Sequence, residues 1–147
     1  MKITTTAFIF YKDKLLVVLH KKQKRWMQAG GHVEENEWLD EALRRELIEE
    51  TGLDVEILGD NLHFSDEVMA GHQILKRPFF IHGRRRDAEK KLAFDYVCVA
   101  KTDKIVLKKD ELDDYKWITE GEIDGLDTTD FFKEFAKKAF EFYRKNN

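Results

Sequence analysis

The sequence predicts an α/β protein, specifically an α/β/α sandwich on a mixed β-sheet. Three observations carry this: segments of alternating apolar residues, two stretches with helical periodicity, and an order that sets strands between helices. At 147 residues, the chain is long enough for one domain (1–147) with a sizeable core. Pro78 is its sole proline, and no Ser- or Gly-rich tract or internal repeat suggests a linker.

Ile3 to Phe10 and Leu15 to His20 alternate as strands, with Lys12-Asp13 as the turn between them. A loop should lead into a helix from about Glu37 to Thr51, with Asn36 as its N-cap and Gly52 in the left-handed position that closes helices. Further strands are expected at Val55 to Leu58, Gln73 to His82, Leu92 to Ala100 and Tyr115 to Ile118. Thr119 should cap a short helix through Ile123, and Asp127 to Asp130 should start a longer one. In that last helix Phe131, Phe135, Ala139 and Phe142 recur beside Phe132, Ala136, Phe140 and Tyr143; such a stripe reads as core, without chemistry.

The net charge is −3, with the acidic excess in the central helix and in Asp110 to Asp130, which argues against a nucleic-acid groove. Two basic clusters, Lys21-Lys22-Gln23-Lys24-Arg25 and Arg84-Arg85-Arg86 with Lys90-Lys91, read as solvated hairpin tips; contact with phosphate groups is their functional alternative. No apolar stretch is long enough to span a bilayer, and MKITTTAFIF alternates like a strand rather than a signal peptide, so the expected location is the cytoplasm. Cys98, between Val97 and Val99, is expected to be a buried, inert thiol.

The most informative run is GGHVEENEWLDEALRRELIEETGL. At about 100° per residue, Leu39, Ala42, Leu43 and Leu47 form an apolar stripe. Glu46 and Glu50 continue that stripe, and Glu49 lies at its edge. A merely solvated charge run would sit opposite the leucines. Carboxylates crowded at the rim of a core repel one another and resist ionisation, a conflict that a divalent cation resolves. Oxygen ligands without His or Cys favour a hard ion, here Mg²⁺ with Mn²⁺ as a substitute. Gly30 and Gly31 precede the helix, where the backbone must pass close to whatever the carboxylates bind.

From Gly31 through Glu37, Arg45-Glu46, Glu49-Glu50 and Gly52-Leu53, the run resembles the Nudix box, and the chain is similar to Nudix hydrolases. Trp26 to Glu34 looks like the family's approach to its helix, with Ala29 where a proline commonly stands. Glu111, six residues before Trp117, is similar to an acidic residue outside the box that reaches the metal; Asp113, Asp114 and Glu89 are its rivals. The resemblance implies a Nudix-type sandwich and hydrolysis of a diphosphate linkage in a small-molecule nucleotide, with a homodimer common in the family. It implies metal ligation by Gly30, Glu46, Glu49, Glu50 and Glu111. Glu49 is the first choice for the base, with Glu46 and Glu111 as alternatives; Arg45 would orient Glu49, and Glu37 would tie loop to helix.

A nucleoside triphosphate cleaved to monophosphate and pyrophosphate is the preferred substrate reading. ADP-ribose or sugar-nucleotide hydrolysis, dinucleoside polyphosphate hydrolysis and a catalytically silent nucleotide sensor are the alternatives. Trp26, Phe79, Phe80, His82 and Tyr96 are able to stack on a base, while His63 and His72 read as ordinary polar residues.

Overall fold

Alternation along the first strand sorts the whole core into two layers. In β1 (Lys2–Tyr11), Ala7 and Ile9 face one way and Phe8 and Phe10 the other. All four are buried, so β1 is covered on both faces. The computed structural model describes residues 1–60 and 62–147; the side chain of Arg86, a member of the second basic cluster, lies outside the described residues.

Lys12 and Asp13 both adopt positive φ, 48° and 65°, and return the chain tightly into β2 (Lys14–His20). β3 (Trp26–Met27) and β4 (Ala29–His32) follow, where the sequence suggested only a loop. β4 pairs with β1 over Thr4 to Ala7. Ladder pairing accounts for the difference, since a segment this short carries no readable alternation of its own.

The central helix α1 (Leu39–Thr51) ends at Gly52, whose φ is 73° and whose N–H bonds to Ile48 O at 2.9 Å. Its N-cap is Trp38 rather than Asn36. Asn36 instead takes a left-handed turn conformation, φ 63°, in the loop that precedes the helix.

β5 (Val55–Ile57) and the short helix α2 (Asp66–Met69) lead to β6 (Phe80–Arg86) and β7 (Glu89–Ala100). The strand expected from Gln73 begins only at Phe80 and runs on to Arg86, so Arg84 and Arg85 belong to its ladder with Lys91 and Lys90. β8 (Leu112–Ile118) pairs with β2, a 3₁₀ turn (Glu120–Gly125) follows with Thr119 and Glu122 as its capping box, and α3 (Asp130–Asn146) closes the described chain.

β1 and β7 are parallel over nine aligned pairs, while their other partners are antiparallel, giving a mixed sheet ordered β3-β2-β1-β7-β5, with β4, β6 and β8 branching from it. α1 supplies Leu43 and Leu47 to one face, against Ile9, Val18, Tyr96 and Cys98. α3 supplies Phe132, Phe135, Ala136 and Phe140 to the other, against Phe8, Phe10, Val17 and Val97. This is the expected three-layer α/β/α arrangement. Cys98 is fully buried, and desolvation pushes its thiol up to about 12. Among the described residues no helix is long and apolar enough to cross a membrane.

Candidate active site

Packing of α1 decides which of its carboxylates leave water. Because Leu43 and Leu47 are pressed onto the sheet, Glu50, one position further along the stripe, goes under with them and is 2% exposed. The Glu46 side chain is 16% exposed, at the rim, and that of Glu49 is 46% exposed, at the edge.

β4 supplies the opposite wall. Gly30 N–H donates to Glu50 Oε1 at 2.8 Å, giving the buried carboxylate one fixed partner. Two different contacts require the paired glycines. A Cβ at Gly30, where φ is +154°, would run into the Thr5 backbone on β1; a Cβ at Gly31 would occupy the place of the Glu46 carboxylate.

Arg45 organises the rest. Its Nε and Nη2 donate to the two oxygens of Glu37, its Nη1 to Glu46 Oε1 at 2.9 Å and Glu49 Oε2 at 3.3 Å, and its Nη2 also to His32 O at 3.0 Å. Hydrogen bonds from Arg45 hold the Glu37 carboxyl below its ordinary value, and Glu37 in turn raises the guanidinium. The expected roles of Glu37 as a tie and Arg45 as an orienting group are thus joined in one network.

Gly30, Glu46, Glu50 and Glu111 line a single cavity of about 350 Å³, together with Asp110 and with Lys21 and Lys22 from the first basic cluster. Glu49 is not among its lining residues. Glu111 is brought there by β8: its carbonyl accepts from Lys21 N–H, and Lys108 Nζ sits 3.1 Å from its Oε1. Of its rivals, Asp113 faces Lys21 at 3.6 Å, Asp114 accepts from Tyr115 N–H, and Glu89 pairs with Lys2 at the far hairpin.

Desolvation pushes Glu50 up to about 8, with Glu46 and Glu111 adding repulsion against the Gly30 hydrogen bond. The carboxylates turn toward protein donors, Arg45, Gly30 and Lys108, and among the described residues no three ligating side chains form a ready metal cluster. The chemistry nevertheless fits a hard divalent ion: every candidate ligand is oxygen, and the buried Glu50 is bonded to the neutral Gly30 amide, with Glu46 and Glu111 adding more repulsion than Lys108 relieves. Each of these bonds uses a single oxygen of its carboxylate, so the second oxygen can meet an ion while the donor holds the group in place.

A second cavity, of about 420 Å³, adjoins the first through Gln23, which lines both. Its walls are Met27 and Gln28 beside β4, His82 and Arg84 on β6, and Thr128, Thr129, Phe131 and Phe132 where α3 begins. Of the aromatic residues proposed to stack on a base, only His82 lines it. Trp26 and Tyr96 are core, Phe79 packs on Phe8 and Phe135, and the half-exposed Phe80 packs against Phe135. His63 and His72 are exposed, away from both cavities.

Gln28, Thr128, Thr129 and Phe131 were not foreseen here. Phe131 had a readable signal: the buried face of α3 starts at Phe132 and continues at 135, 136, 139, 140 and 143, which leaves Phe131 out of phase and 59% exposed. Gln28 and the threonines carry no such signal, since only the pairing of β4 and the position of α3 bring them together.

Residues 1–143 match the family model for the NUDIX domain. A mouse protein named oxidized purine nucleoside triphosphate hydrolase is 27% identical over 95 residues; the match spans 60% of this chain and 61% of that protein. A NUDIX-family hydrolase from Clostridium perfringens superposes with a TM-score of 0.81 at 26% identity, covering 96% of this chain and 97% of the other. A MutT protein from Methanosarcina mazei Go1 gives 0.69 at 21% identity over 98% and 95%, a likeness of fold.

Proposed function

Since this chain belongs to the NUDIX family of hydrolases, we propose that it is a Mg²⁺-dependent pyrophosphohydrolase that cleaves a nucleoside triphosphate to the monophosphate and pyrophosphate. The observation that carries the reading is the placement of Glu50, buried against the Gly30 amide in a cavity shared with Glu46 and Glu111 and lined also by Lys21 and Lys22. Such a cavity suits a polyanion that arrives with its own cation.

Gly30, Glu46, Glu49, Glu50 and Glu111 are the residues that would hold the ion, Mn²⁺ serving as a substitute. When bound, it would neutralise diphosphate oxygens and stabilise charge on the leaving group. Lys21 and Lys22 draw the phosphates in. Glu49, the most solvent-accessible of the three box carboxylates on α1, is the first candidate to accept the proton of the attacking water, with Glu46 and Glu111 as alternatives. Arg45 holds Glu46 and Glu49 in position. The second cavity receives the base, with Phe131 available for stacking. The activity is assigned to one domain, acting on a small nucleotide rather than a nucleic acid, in the cytoplasm.

The triphosphate reading gains support from the relative named for oxidized purine nucleoside triphosphates. Sugar nucleotides, ADP-ribose and dinucleoside polyphosphates are the competing substrates. Retention of Glu46, Glu49 and Glu50 favours an enzyme over a silent sensor. A magnesium-dependent screen across all four substrate classes, with products resolved by chromatography, tests the assignment. Monophosphate and pyrophosphate from a triphosphate are expected; turnover confined to another class, or binding without turnover throughout, rejects it.

A further inference from the structure

Behind the second cavity lies a buried carboxylate with no part in the metal site. Asp95 is fully buried on β7, and both its oxygens are engaged: Thr6 Oγ1 donates to Oδ1 at 2.6 Å, and His82 Nδ1 lies 2.6 Å from Oδ2. Desolvation raises its pKa, opposed by these same two partners.

A carboxylate in that position fixes the direction of a chain of hydrogen bonds. Thr6 has one hydroxyl hydrogen, and it is committed to Asp95, so Thr6 Oγ1 offers only lone pairs to its next neighbour. That neighbour is the Gln28 side-chain amide, which therefore turns its Nε2 toward Thr6, at 3.3 Å. Gln28 Oε1 is left as an acceptor, shielded from solvent and without a hydrogen-bond partner among the described residues. Thr128 Oγ1, in the same cavity wall, is likewise buried and unpartnered, with a hydrogen to give. Arg25 and Arg84 add guanidinium donors, and among the described residues no carboxylate lines the cavity.

We propose that Asp95 is a positioning residue that, through Thr6, fixes Gln28 as an acceptor, and that the cavity selects bases presenting a ring N–H beside a carbonyl over amino bases. The ring N–H satisfies Gln28 Oε1, and the carbonyl takes the donors of Thr128 and the arginines. Adenine offers an amino group and a bare ring nitrogen in the corresponding places. One unmet buried acceptor and one unmet donor suffice for about a tenfold preference. The inference rests on the nucleotide reading above and narrows it to a substrate class.

Inosine and adenosine 5′-monophosphates differ in this one edge of the purine. Calorimetric titration of each into the whole protein, in chelator without added metal, is expected to give about tenfold tighter binding of the inosine compound. Gln28→Met, of similar volume, should bring the ratio close to one. Asp95→Asn should do the same; because a buried substitution can prevent folding, Thr6→Val and Thr6→Ser test the same chain, the first losing the preference and the second keeping it. Equal binding by wild type, no measurable binding of either compound, or a preference that survives Gln28→Met or Thr6→Val overturns the proposal. Turnover with magnesium is measured separately: base selection without hydrolysis sinks the enzymatic reading alone, and hydrolysis without base selection sinks this one alone.

Discussion

Arg45 grips Glu37 through two hydrogen bonds, Nε to Oε2 at 2.7 Å and Nη2 to Oε1 at 3.0 Å, and so fastens α1 to the loop in front of it. The lysine ammonium has no planar fork, so Arg45→Lys is expected to lose about 1–3 kcal/mol of stability. Glu46 and Glu49 lose their shared donor at the same time, and kcat should fall at least about tenfold. Urea unfolding and steady-state kinetics check both; an unchanged midpoint with unchanged kcat refutes the role.

Removing charge from the two neighbouring carboxylates Glu49 and Glu50 separates base from ligand. Glu49→Gln should fold normally, its side chain being half exposed, while turnover drops by roughly two to three powers of ten. Glu50→Gln should chiefly raise the magnesium concentration needed for half-maximal rate. Near-normal kcat in the first variant removes Glu49 from the mechanism, and an unaltered magnesium dependence in the second removes Glu50 from the ligand set.

Protons and metal compete for Glu50. Its folded value of about 8 lies above the ordinary 4.5, so the folded protein binds more protons in that interval. In chelator, this contribution to stability is full below about pH 4.5 and is lost as pH rises through about 8. Thermal midpoints of wild type should therefore fall relative to Glu50→Gln across that window. Magnesium affinity of the wild type should rise over the same interval, as the cation displaces the proton. Parallel profiles for the two proteins would show that Glu50 titrates normally.

The two glycines of β4 should fail in different ways. At Gly31→Ala the atoms nearest the new methyl are the end of the flexible Glu46 side chain, which can swing aside, so stability should change little while activity falls about tenfold or more. At Gly30→Ala it meets the Thr5 backbone, which cannot, and a loss of about 2 kcal/mol or more is expected. Calorimetric melting of both variants distinguishes them; similar midpoints would mean that β1 accommodates the intrusion.

Periodicity made the layers legible. The alternation of Phe8 and Ile9 across β1 and the spacing of Leu43, Leu47 and Glu50 along α1 are readable directly, and they place Glu50 on the buried side of the helix. Pairing was less legible. β4 is a strand because β1 lies beside it, and β6 continues through three arginines because β7 holds the ladder. Asn36, a favourable cap by type, was overruled by a local turn. Glu111 enters the cavity through the pairing of β8 with β2. The Asp95 chain joins positions 6, 28, 82 and 95, a set that only the folded sheet defines.

The solitary sulfur on β7 makes the molecule its own stopwatch. With Cys98 sealed beneath α1 and its thiol held almost wholly protonated, an alkylating reagent reacts only with chains whose central layer has opened. Each modified molecule then records one such excursion, so the pace of labelling measures how often the middle of the sheet comes apart.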